Sequence, residues 1–539
     1  MISVSKKARV LGLIAATAAT GLVLAGCAGG GGGTGSTGGA IIIGTTDKVT
    51  KLDPAGSFDN GSLMLQSQVF GLLMDSPVGT SDVEPSLAKT AAFTSPNDFT
   101  VTLDSGLKFA NGDDLTSSDV KFSFDRQTAI ADENGPSYLL GNIDSIDTPD
   151  ATTVVFHLKA ANDQTFAQVL STAAGAIVDE EVFSADAVTT DDDIVAGNGF
   201  SSQYVIKSYD FNNLVTLAPN PNYKGVLAAP KSADVTLKYY TDASNLKLDV
   251  QEGNIDVAWR TLNATDIADL RANSKVTVTD DPGGEMRYIV FNFNTMPFGA
   301  TQPDADAKKA LAVRVAAADL INRQEISDQV YKGTHVPLYS YVVDGLTGAI
   351  PVLKGLYGDG NGGPDGTKAA AALSDAGVAT PVVLNLQSNT DPSGEASAAE
   401  YALIKSQLEA GGLFTVNLQS TEYTQYSPDR TSDVYPEYQL GWYPDFSDAD
   451  NYLTPFFGAD SFLVNHYSNP TVISEIQAQA TESDATKRQA LIEDIQKLLA
   501  ADLPTLPVWQ GAQVVVTGTD VTGAKLDGSF KFRFGELSK

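Results

Sequence analysis

The sequence predicts an α/β protein with more than one domain. Runs of alternating or continuously apolar residues, such as residues 41–46, 152–158 and 512–518, have the pattern of β-strands. Stretches with apolar residues three or four positions apart lie between them and are typical of helices. The roughly 500 residues after the N-terminal region exceed the size of one hydrophobic core. Hydrophobic residues make up 42% of the chain, which argues against disorder.

The first 26 residues have the pattern of a secretory signal peptide. Lys6, Lys7 and Arg9 precede residues 10–24, which carry no charge and are rich in Ala, Leu and Val. This apolar run is shorter than the roughly 20 residues that a membrane-spanning helix needs. We therefore expect the chain to be exported and residues 1–26 to be removed.

Cys27 is the single cysteine of the chain and ends the run LVLAGC. This run resembles the lipobox of bacterial lipoproteins, in which the cysteine receives a diacylglyceryl group and becomes the first residue. The resemblance implies a lipid anchor at Cys27 and a position on the extracytoplasmic face of the cell membrane, and two acyl chains suffice for stable anchoring. An ordinary secreted protein with a chance cysteine is the alternative. A single cysteine excludes intrachain disulfides and cysteine-rich metal sites.

Residues 27–40 are rich in glycine, so we expect a flexible tether. Twelve such residues span roughly 20 Å as a random coil. After the tether, no segment of the sequence has the length and apolar character of a membrane span. We therefore expect the folded part of the chain to lie outside the bilayer.

The chain is strongly acidic, with a formal net charge of −31 at pH 7. The signal segment holds three of the 35 basic residues and none of the 66 acidic ones, so its removal gives a charge of −34. Nucleic acid is not an expected partner, because its binding requires clustered Lys and Arg. A negative field favours encounter with cations, although the same charge also promotes solubility.

Two segments have helical periodicity, residues 396–410 and residues 485–500. In the second, Leu491, Ile495 and Leu498 are predicted to form the buried face.

The common motifs of enzymes and nucleotide-binding proteins are absent from the sequence. Residues 358–366, GDGNGGPDG, match G-x-G-x-x-G, but Pro364 follows at once and no buried strand precedes them, which indicates a turn. The chain contains no GxxxxGK[ST], G-x-S-x-G or HExxH. His157, His335 and His466 are far apart and lack ligand spacing. We therefore predict no catalytic residue, no metal and no cofactor.

Five segments, in order along the chain, resemble the family 5 solute-binding proteins of ABC transporters, a group of peptide- and nickel-binding proteins. They are LDPAGSFDNGSLMLQSQVFGLL (52–73), VTLDSGLKFANGDDLTSSDVKFSFDR (101–126), GNGFSSQYVIKSYDFNNLVTLAPNPNY (197–223), EGNIDVA (252–258) and VRVAAADLINR (313–323). Their order and spacing make the match specific. Within the second segment, Thr116 and Asp119 form a capping pair that predicts the start of a helix.

The resemblance implies the two-lobed periplasmic-binding-protein type II fold, which closes about a hinge, with an extra subdomain on the N-terminal lobe. On this basis we place lobe I in residues 41–84, 195–285 and 505–539, the extra subdomain in residues 85–194, and lobe II in residues 286–504. The implied function is the binding of a solute, without catalysis, and its delivery to the permease subunits of an ABC importer. A monomer is expected.

The segment GWYPDFSDADNYL, residues 441–453, combines three carboxylates with aromatic residues. A metal site for a hard cation needs about six or more oxygens. A glycosidase needs two carboxylates about 5–10 Å apart across a cleft, and no feature identifies the second. A pocket for an amine needs one carboxylate beside aromatic rings, which Asp445, Trp442 and Tyr443 can supply. The alternative is that the aromatic residues form core and that Asp445 caps a helix.

The resemblance favours the amine pocket. In the family, a Trp-x-x-Asp-Tyr segment follows a strand at the lobe interface, and its Asp pairs with the α-ammonium of a bound peptide. Trp442, Asp445 and Phe446 occupy the matching positions. Further candidates follow predicted strands. The full set of predicted ligand-binding residues is Asp445, Trp442, Tyr443, Phe446, Asn294, Phe58, Asp59 and Asn60.

We therefore expect a protein that captures oligopeptides or dipeptides. The same fold binding a nickel chelate, a sugar or another small solute is one alternative. An anchored extracellular hydrolase is an alternative of another class, although no nucleophile–base motif supports it.

Overall fold

A computed structural model describes residues 39–260, 262–389 and 396–539. The predicted signal segment, Cys27 and the tether up to residue 38 lie outside these residues, so export and lipidation stay predictions. Within the described ranges, no helix has both the length and the apolar character needed to cross a membrane.

The strands are distributed along the whole of the described chain. The strands are β1 (Ile41–Thr45), β2 (Gly71–Leu72), β3 (Met74–Asp75), β4 (Glu84–Pro85), β5 (Ala88–Ser95), β6 (Asp98–Leu103), β7 (Leu107–Lys108), β8 (Asp114–Leu115), β9 (Ile143–Asp150), β10 (Thr153–Leu158), β11 (Ala176–Ile177), β12 (Tyr204–Asp210), β13 (Leu214–Pro219), β14 (Val235–Tyr239), β15 (Val257–Trp259), β16 (Val276–Phe291), β17 (His335–Pro337), β18 (Val382–Ser388), β19 (Phe414–Ser420), β20 (Glu437–Trp442) and β21 (Thr505–Gly518).

The helices are concentrated in the second half of the chain. They are α1 (Asn60–Val69), α2 (Ser117–Ile130), α3 (Phe166–Val169), α4 (Asp191–Gly197), α5 (Ala243–Glu252), α6 (Ala264–Arg271), α7 (Ala307–Leu320), α8 (Arg323–Gln329), α9 (Val352–Leu356), α10 (Gly366–Asp375), α11 (Ala396–Glu409), α12 (Tyr423–Thr431), α13 (Asp450–Phe457), α14 (Pro470–Thr481) and α15 (Ala485–Asp502). Short 3-10 helices cover Pro54–Gly56, Ser137–Leu140, Ala173–Gly175 and Phe534–Glu536.

One large mixed sheet runs through both lobes. Its strand order is β12-β13-β14-β1-β15-β21-β16-β20-β18-β19, and β17 pairs with β21. β1 is parallel to β14 and β15, and β18 is parallel to β19 and β20. A separate four-stranded antiparallel sheet, β5-β6-β10-β9, lies in the extra subdomain. The predicted α/β class is confirmed.

Two long antiparallel strands, β16 and β21, connect the lobes. They pair along most of their length, with a shift of register at residues 282–286, where Gly283 and Gly284 lie. On the lobe I side of this shift β21 pairs with β15, and on the lobe II side β16 pairs with β20. The chain therefore crosses between the lobes twice, at adjacent positions.

The hydrophobic core is divided into clusters. One is drawn from residues 286–509, and another, drawn from residues 73–177, lies beside the four-stranded sheet. A further cluster lies in lobe I and includes Val178, Phe183 and Ile194, which the predicted boundary assigns to the extra subdomain. The boundaries themselves stay predictions.

A buried ion pair joins two of the segments that carry the family resemblance. Arg126 of α2 donates to both oxygens of Asp53, at 2.9 and 2.8 Å, and the two side chains are 1% and 0% exposed. The capping pair of Thr116 and Asp119 is present at the start of α2, as predicted. Both segments therefore serve to fix the extra subdomain to lobe I.

Two further predictions have clear outcomes. Residues 358–365 lie in the connection between α9 and α10, and Gly366 begins α10, as the interpretation as a turn requires. The predicted buried face of α15 is confirmed at Ile495, but Ile492 and Leu499 are fully buried where Leu491 and Leu498 were expected to be. The reason is that α15 packs against α14 on one side and α9 on another, so the buried stripe is broader than the one chosen from leucine spacing.

Candidate functional site

The loop after β20 lies where lobe II meets the extra subdomain. β20 ends at Trp442, and α13 begins at Asp450. Gly284 of β16 lies against this loop, since a Cβ at that position would be 2.6 Å from Cγ of Pro444. The hydroxyl of Tyr452 donates to the carbonyl of Gly284 at 2.7 Å. A glycine in the crossing strand therefore lets the loop approach closely.

Asp445 is held by one side chain from the extra subdomain and one from lobe II. The hydroxyl of Tyr138 donates to Oδ1 at 2.6 Å, and Nδ2 of Asn451 donates to Oδ2 at 3.3 Å. The backbone N–H of Asp445 donates to Oδ1 of Asn451 at 2.8 Å. Burial raises the pKa of Asp445 above its usual value of 3.8, and the hydrogen bonds from Tyr138 and Asn451 oppose this rise. Asp445 is thus a partly buried hydrogen-bond acceptor at the interface between lobe II and the extra subdomain.

Trp442 is linked to Asp445 through the side chain of Asn451. Its Nε1 donates to Oδ1 of Asn451 at 2.9 Å, the same oxygen that accepts the backbone N–H of Asp445. The indole ring packs edge-on against Phe456, with ring centroids 5.0 Å apart, and against the core of lobe II. The structure therefore places Trp442 in the packing that orients Asn451.

Tyr443 connects the loop to a group of charged residues near the crossing strands. It is 50% exposed, and its hydroxyl donates at 2.6 Å to Glu285, which also pairs with Arg287 at 2.8 Å. Burial and Glu285 raise the pKa of Tyr443, whereas the charges of Arg260 and Arg287 oppose the rise. Arg260 follows β15 in lobe I and pairs at 3.1 Å with Asp47, which follows the adjacent parallel strand β1. The charge of Arg260 in lobe I thus acts on the hydroxyl of Tyr443.

Phe58 and Phe446 both contact the extra subdomain, Phe58 from lobe I and Phe446 from lobe II. Phe58, from lobe I, meets the ring of Tyr138 edge-on, with centroids 6.2 Å apart and an interplanar angle of 87°. Phe446, from lobe II, packs against the hydrophobic cluster of the subdomain. The structure therefore brings Phe58 and Asp445 together through Tyr138.

Asp59 and Asn60 are at the start of α1. Asp59 is the N-cap residue and accepts the backbone N–H of Ser62 at 2.9 Å. Asn60 is the exposed first residue of the helix. Asp59 therefore has a structural role in addition to the predicted one.

Asn294 is not brought to this site. Its Nδ2 donates to Asp433 at 3.2 Å, in a group of polar side chains beyond the end of β16. β16 and β20 are antiparallel, with Phe291 opposite Glu437. Asn294 therefore lies at the end of the strand pair opposite to Trp442.

The other two carboxylates of the loop have partners elsewhere. Asp448 forms a two-pronged ion pair with Arg488 of α15, at 2.8 and 2.7 Å. Asp450 accepts hydrogen bonds from Thr454 and Gln479, and burial raises its pKa to about 6. The three carboxylates of the loop therefore do not converge. In the part of the chain that the structure describes, the acidic group with metal-ligand spacing is Asp119, Asp179 and Glu181.

Two residues of the site were missed by the sequence reasoning. Tyr138 is 307 positions from Asp445, and no local pattern connects them. Arg260 follows the segment EGNIDVA, whose resemblance had no ligand role assigned to it. Arg260 has a φ of 58°, a left-handed conformation that is uncommon outside glycine. Such an outlier suggests a functional role, but it is visible in the structure alone.

Residues 82–462 match the family model described as bacterial extracellular solute-binding proteins, family 5 Middle. The chain belongs to this family. The probable D,D-dipeptide-binding periplasmic protein DdpA of Escherichia coli (strain K12) is 26% identical over 498 residues, which cover 90% of each chain. The family membership that the five segments implied is confirmed.

Solved structures of low sequence identity share the fold. The periplasmic murein tripeptide binding protein MppA, in an unliganded open form, has a TM-score of 0.77 at 19% identity, with coverage of 93% of this chain and 97% of MppA. MoaA from A. tumefacien R10, in complex with mannopinic acid, has a TM-score of 0.65 at 21% identity, with coverage of 93% and 98%. The two-lobed type II fold is confirmed.

Proposed function

We propose that this chain captures peptides with a free amino terminus between its two lobes and delivers them to the permease of an ABC importer. The position of Asp445 is the main support for this proposal. Asp445 is a partly buried carboxylate with aromatic neighbours at the junction of the lobes. An ammonium group suits such a site, through charge-assisted hydrogen bonds and cation–π contacts. The names of DdpA and MppA, which specify a dipeptide and a tripeptide, support a peptide ligand.

Arg260 is proposed to receive the carboxylate at the other end of a short peptide. It lies in lobe I, and its charge acts on Tyr443, two positions before Asp445 in lobe II. A zwitterionic peptide can therefore place one charge near each residue as the lobes close. The carboxylate would join Asp47 as a partner of Arg260.

Closure about β16 and β21 would surround the ligand and form the surface that docks on the permease. In this proposal lobe I comprises residues 41–84, 195–285 and 505–539, and the rest of the described chain forms the subdomain and lobe II. The proposal includes a lipid anchor at Cys27, attachment to the outer face of the cell membrane and a monomeric protein. It also specifies binding without turnover.

Thermal unfolding with and without ligand tests the proposal. The purified chain is heated with alanylphenylalanine, with a panel of dipeptides to pentapeptides, and with the N-acetylated twin of each. A ligand at 100 times its dissociation constant adds about 2.7 kcal/mol to the stability of a one-site protein. We expect the free-amine peptides to raise the unfolding temperature and their acetylated twins to have no effect.

Other results would redirect the proposal. Equal stabilisation by free and acetylated peptides would remove Asp445 as the amine partner. No response to any peptide would favour a different solute in the same fold, as the MoaA complex with mannopinic acid illustrates. Cleavage products from labelled peptides would identify a hydrolase instead.

A further inference from the structure

The extra subdomain contacts lobe II at three points around the loop after β20. Tyr138 donates to Asp445, the backbone N–H of Gln164 donates to the carbonyl of Ala480 at 2.9 Å, and Phe446 packs against the subdomain core. The first contact uses the carboxylate to which the proposed function assigns the ligand ammonium. The ligand ammonium and the hydroxyl of Tyr138 in the subdomain would therefore bind the same carboxylate, that of Asp445.

Tyr138 is positioned by contacts that can be broken. It belongs to a single 3-10 turn, Ser137–Leu140, which follows Pro136, and its ring meets Phe58 edge-on. Its side chain is 60% exposed. Exposed side chains change rotamer on the picosecond to nanosecond timescale, so the hydroxyl can leave Asp445 without disturbing a packed core.

The hydroxyl and an ammonium group differ in strength as donors to a carboxylate. Tyr138 binds Oδ1 at 2.6 Å, whereas the amide of Asn451 binds Oδ2 at 3.3 Å. The bond from Tyr138 is already charge-assisted, because its acceptor is ionised, but an ammonium brings a full positive charge and so adds a direct attraction to the carboxylate. An ammonium can therefore replace the hydroxyl of Tyr138. The measured affinity of the ligand then equals the gain from the ammonium–Asp445 interaction less the loss of the Tyr138–Asp445 hydrogen bond.

We propose that Tyr138 is an internal competitor for Asp445, which holds the subdomain against lobe II until a ligand ammonium replaces the hydroxyl. The inference rests on the proposed function for the identity of that ligand. It makes Tyr138 a determinant of affinity, although the residue lies in the subdomain and far from Asp445 in sequence. The hydroxyl lowers the affinity for amines, and in return it keeps Asp445 hydrogen-bonded when the lobes close without ligand.

Calorimetric titration of a Tyr138→Phe variant tests the competition. This variant of the full chain removes the hydroxyl and keeps the ring that meets Phe58. We expect it to bind alanylphenylalanine about fivefold more tightly than the parent chain, as loss of one partly exposed competing hydrogen bond predicts. Binding of N-acetyl-alanylphenylalanine should be equally weak in both proteins. Unchanged or weaker binding of the free peptide would overturn the proposal, because Tyr138 would then be a bystander or a ligand contact.

Tyr209→Phe is the matched control. Tyr209 lies in β12 of lobe I, and its hydroxyl donates to Asp191 at 2.7 Å. This variant removes the same chemical group from the same kind of partner, away from Asp445. Its affinity for alanylphenylalanine should equal that of the parent chain, and an equal gain in both variants would overturn the competition.

A second readout does not depend on peptide binding. Nitroxide labels at Asp144→Cys and Lys497→Cys, in a Cys27→Ser background, report the distance between the subdomain and α15 by double electron–electron resonance. Without peptide, we expect Tyr138→Phe to shift the distribution towards longer distances, and identical distributions would overturn the proposal. If peptide binds to neither protein, the proposed function fails, while this readout still decides the role of Tyr138.

Discussion

Replacement of Asp445 by Asn removes the charge proposed to bind the ligand ammonium and keeps the size of the side chain. In the parent chain, the carboxylate accepts hydrogen bonds from Tyr138 and Asn451. An asparagine retains one carbonyl oxygen for the hydroxyl of Tyr138. The Asp445→Asn variant should therefore fold, and its effect on binding can be read separately from an effect on stability.

The expected loss of affinity follows from the burial of the site. Removal of one partner of a buried charge pair costs about 2–5 kcal/mol. Asp445 is partly buried, and its neighbour Tyr138 is 60% exposed, so solvent screening places this pair near the lower end. A loss of about 2–3 kcal/mol raises the dissociation constant about 30- to 150-fold.

Isothermal titration of alanylphenylalanine into both proteins measures this change. Asp429→Asn is the control, because Asp429 accepts the hydroxyl of Tyr435 at 2.9 Å, before the start of β20 and away from Asp445. The control should bind like the parent chain. A dissociation constant of Asp445→Asn within about twofold of the parent value would refute the assignment of the ammonium to Asp445.

Four further predictions follow from the same structure. Burial raises the pKa of Asp445, so peptide affinity should fall as the pH drops through that pKa and again as it rises past the amino pKa of the peptide, near about 8, in titrations across pH. Arg260→Gln should weaken binding of peptides with a free carboxylate about tenfold and leave their C-amidated twins unchanged, as calorimetry can show. Asp53→Asn leaves the buried charge of Arg126 without its partner, so urea denaturation should show a loss of about 3–5 kcal/mol, and an unchanged midpoint would contradict this role. Burial raises the pKa of Glu437 from 4.5 to about 8, so its stabilising effect is present below the lower value and is lost as the pH rises to the upper one. Glu437→Gln should remove this loss, and the stability of the variant relative to the parent chain should increase by up to about 1.4 kcal/mol per pH unit across that window.

Local pattern was sufficient for the short strands of the sheet. The run 41–46 became β1 (Ile41–Thr45), and the run 152–158 became β10 (Thr153–Leu158). In β1, Ile41 and Ile43 are buried, and in β10 Val154, Phe156 and Leu158 are buried. The same logic underestimated β16 and β21, because residues 276–282 are held in the sheet by pairing with residues 512–518, and residues 505–510 by pairing with residues 286–290. A strand that depends on its partner carries little signal in its own sequence.

Asp445 could be predicted from the sequence, whereas the residues that surround it could not. Asp445 was identified from its strand, its aromatic neighbours and the family pattern, and the structure places it at the junction with the extra subdomain. Asn294 follows a predicted strand, but the sequence does not say which end of an antiparallel pair faces the other lobe. Tyr138 contacts Asp445 from a distant segment, and the charge of Arg260 acts on Tyr443 from another, so both depend on the whole fold.

A crystal structure of the chain with alanylphenylalanine tests the central claim most directly. The account predicts that the peptide nitrogen lies about 2.9 Å from an oxygen of Asp445. It also predicts that the hydroxyl of Tyr138 has moved away from that carboxylate. A peptide bound with its nitrogen on another residue, while Tyr138 still donates to Asp445, would contradict both the proposed site and the proposed competition.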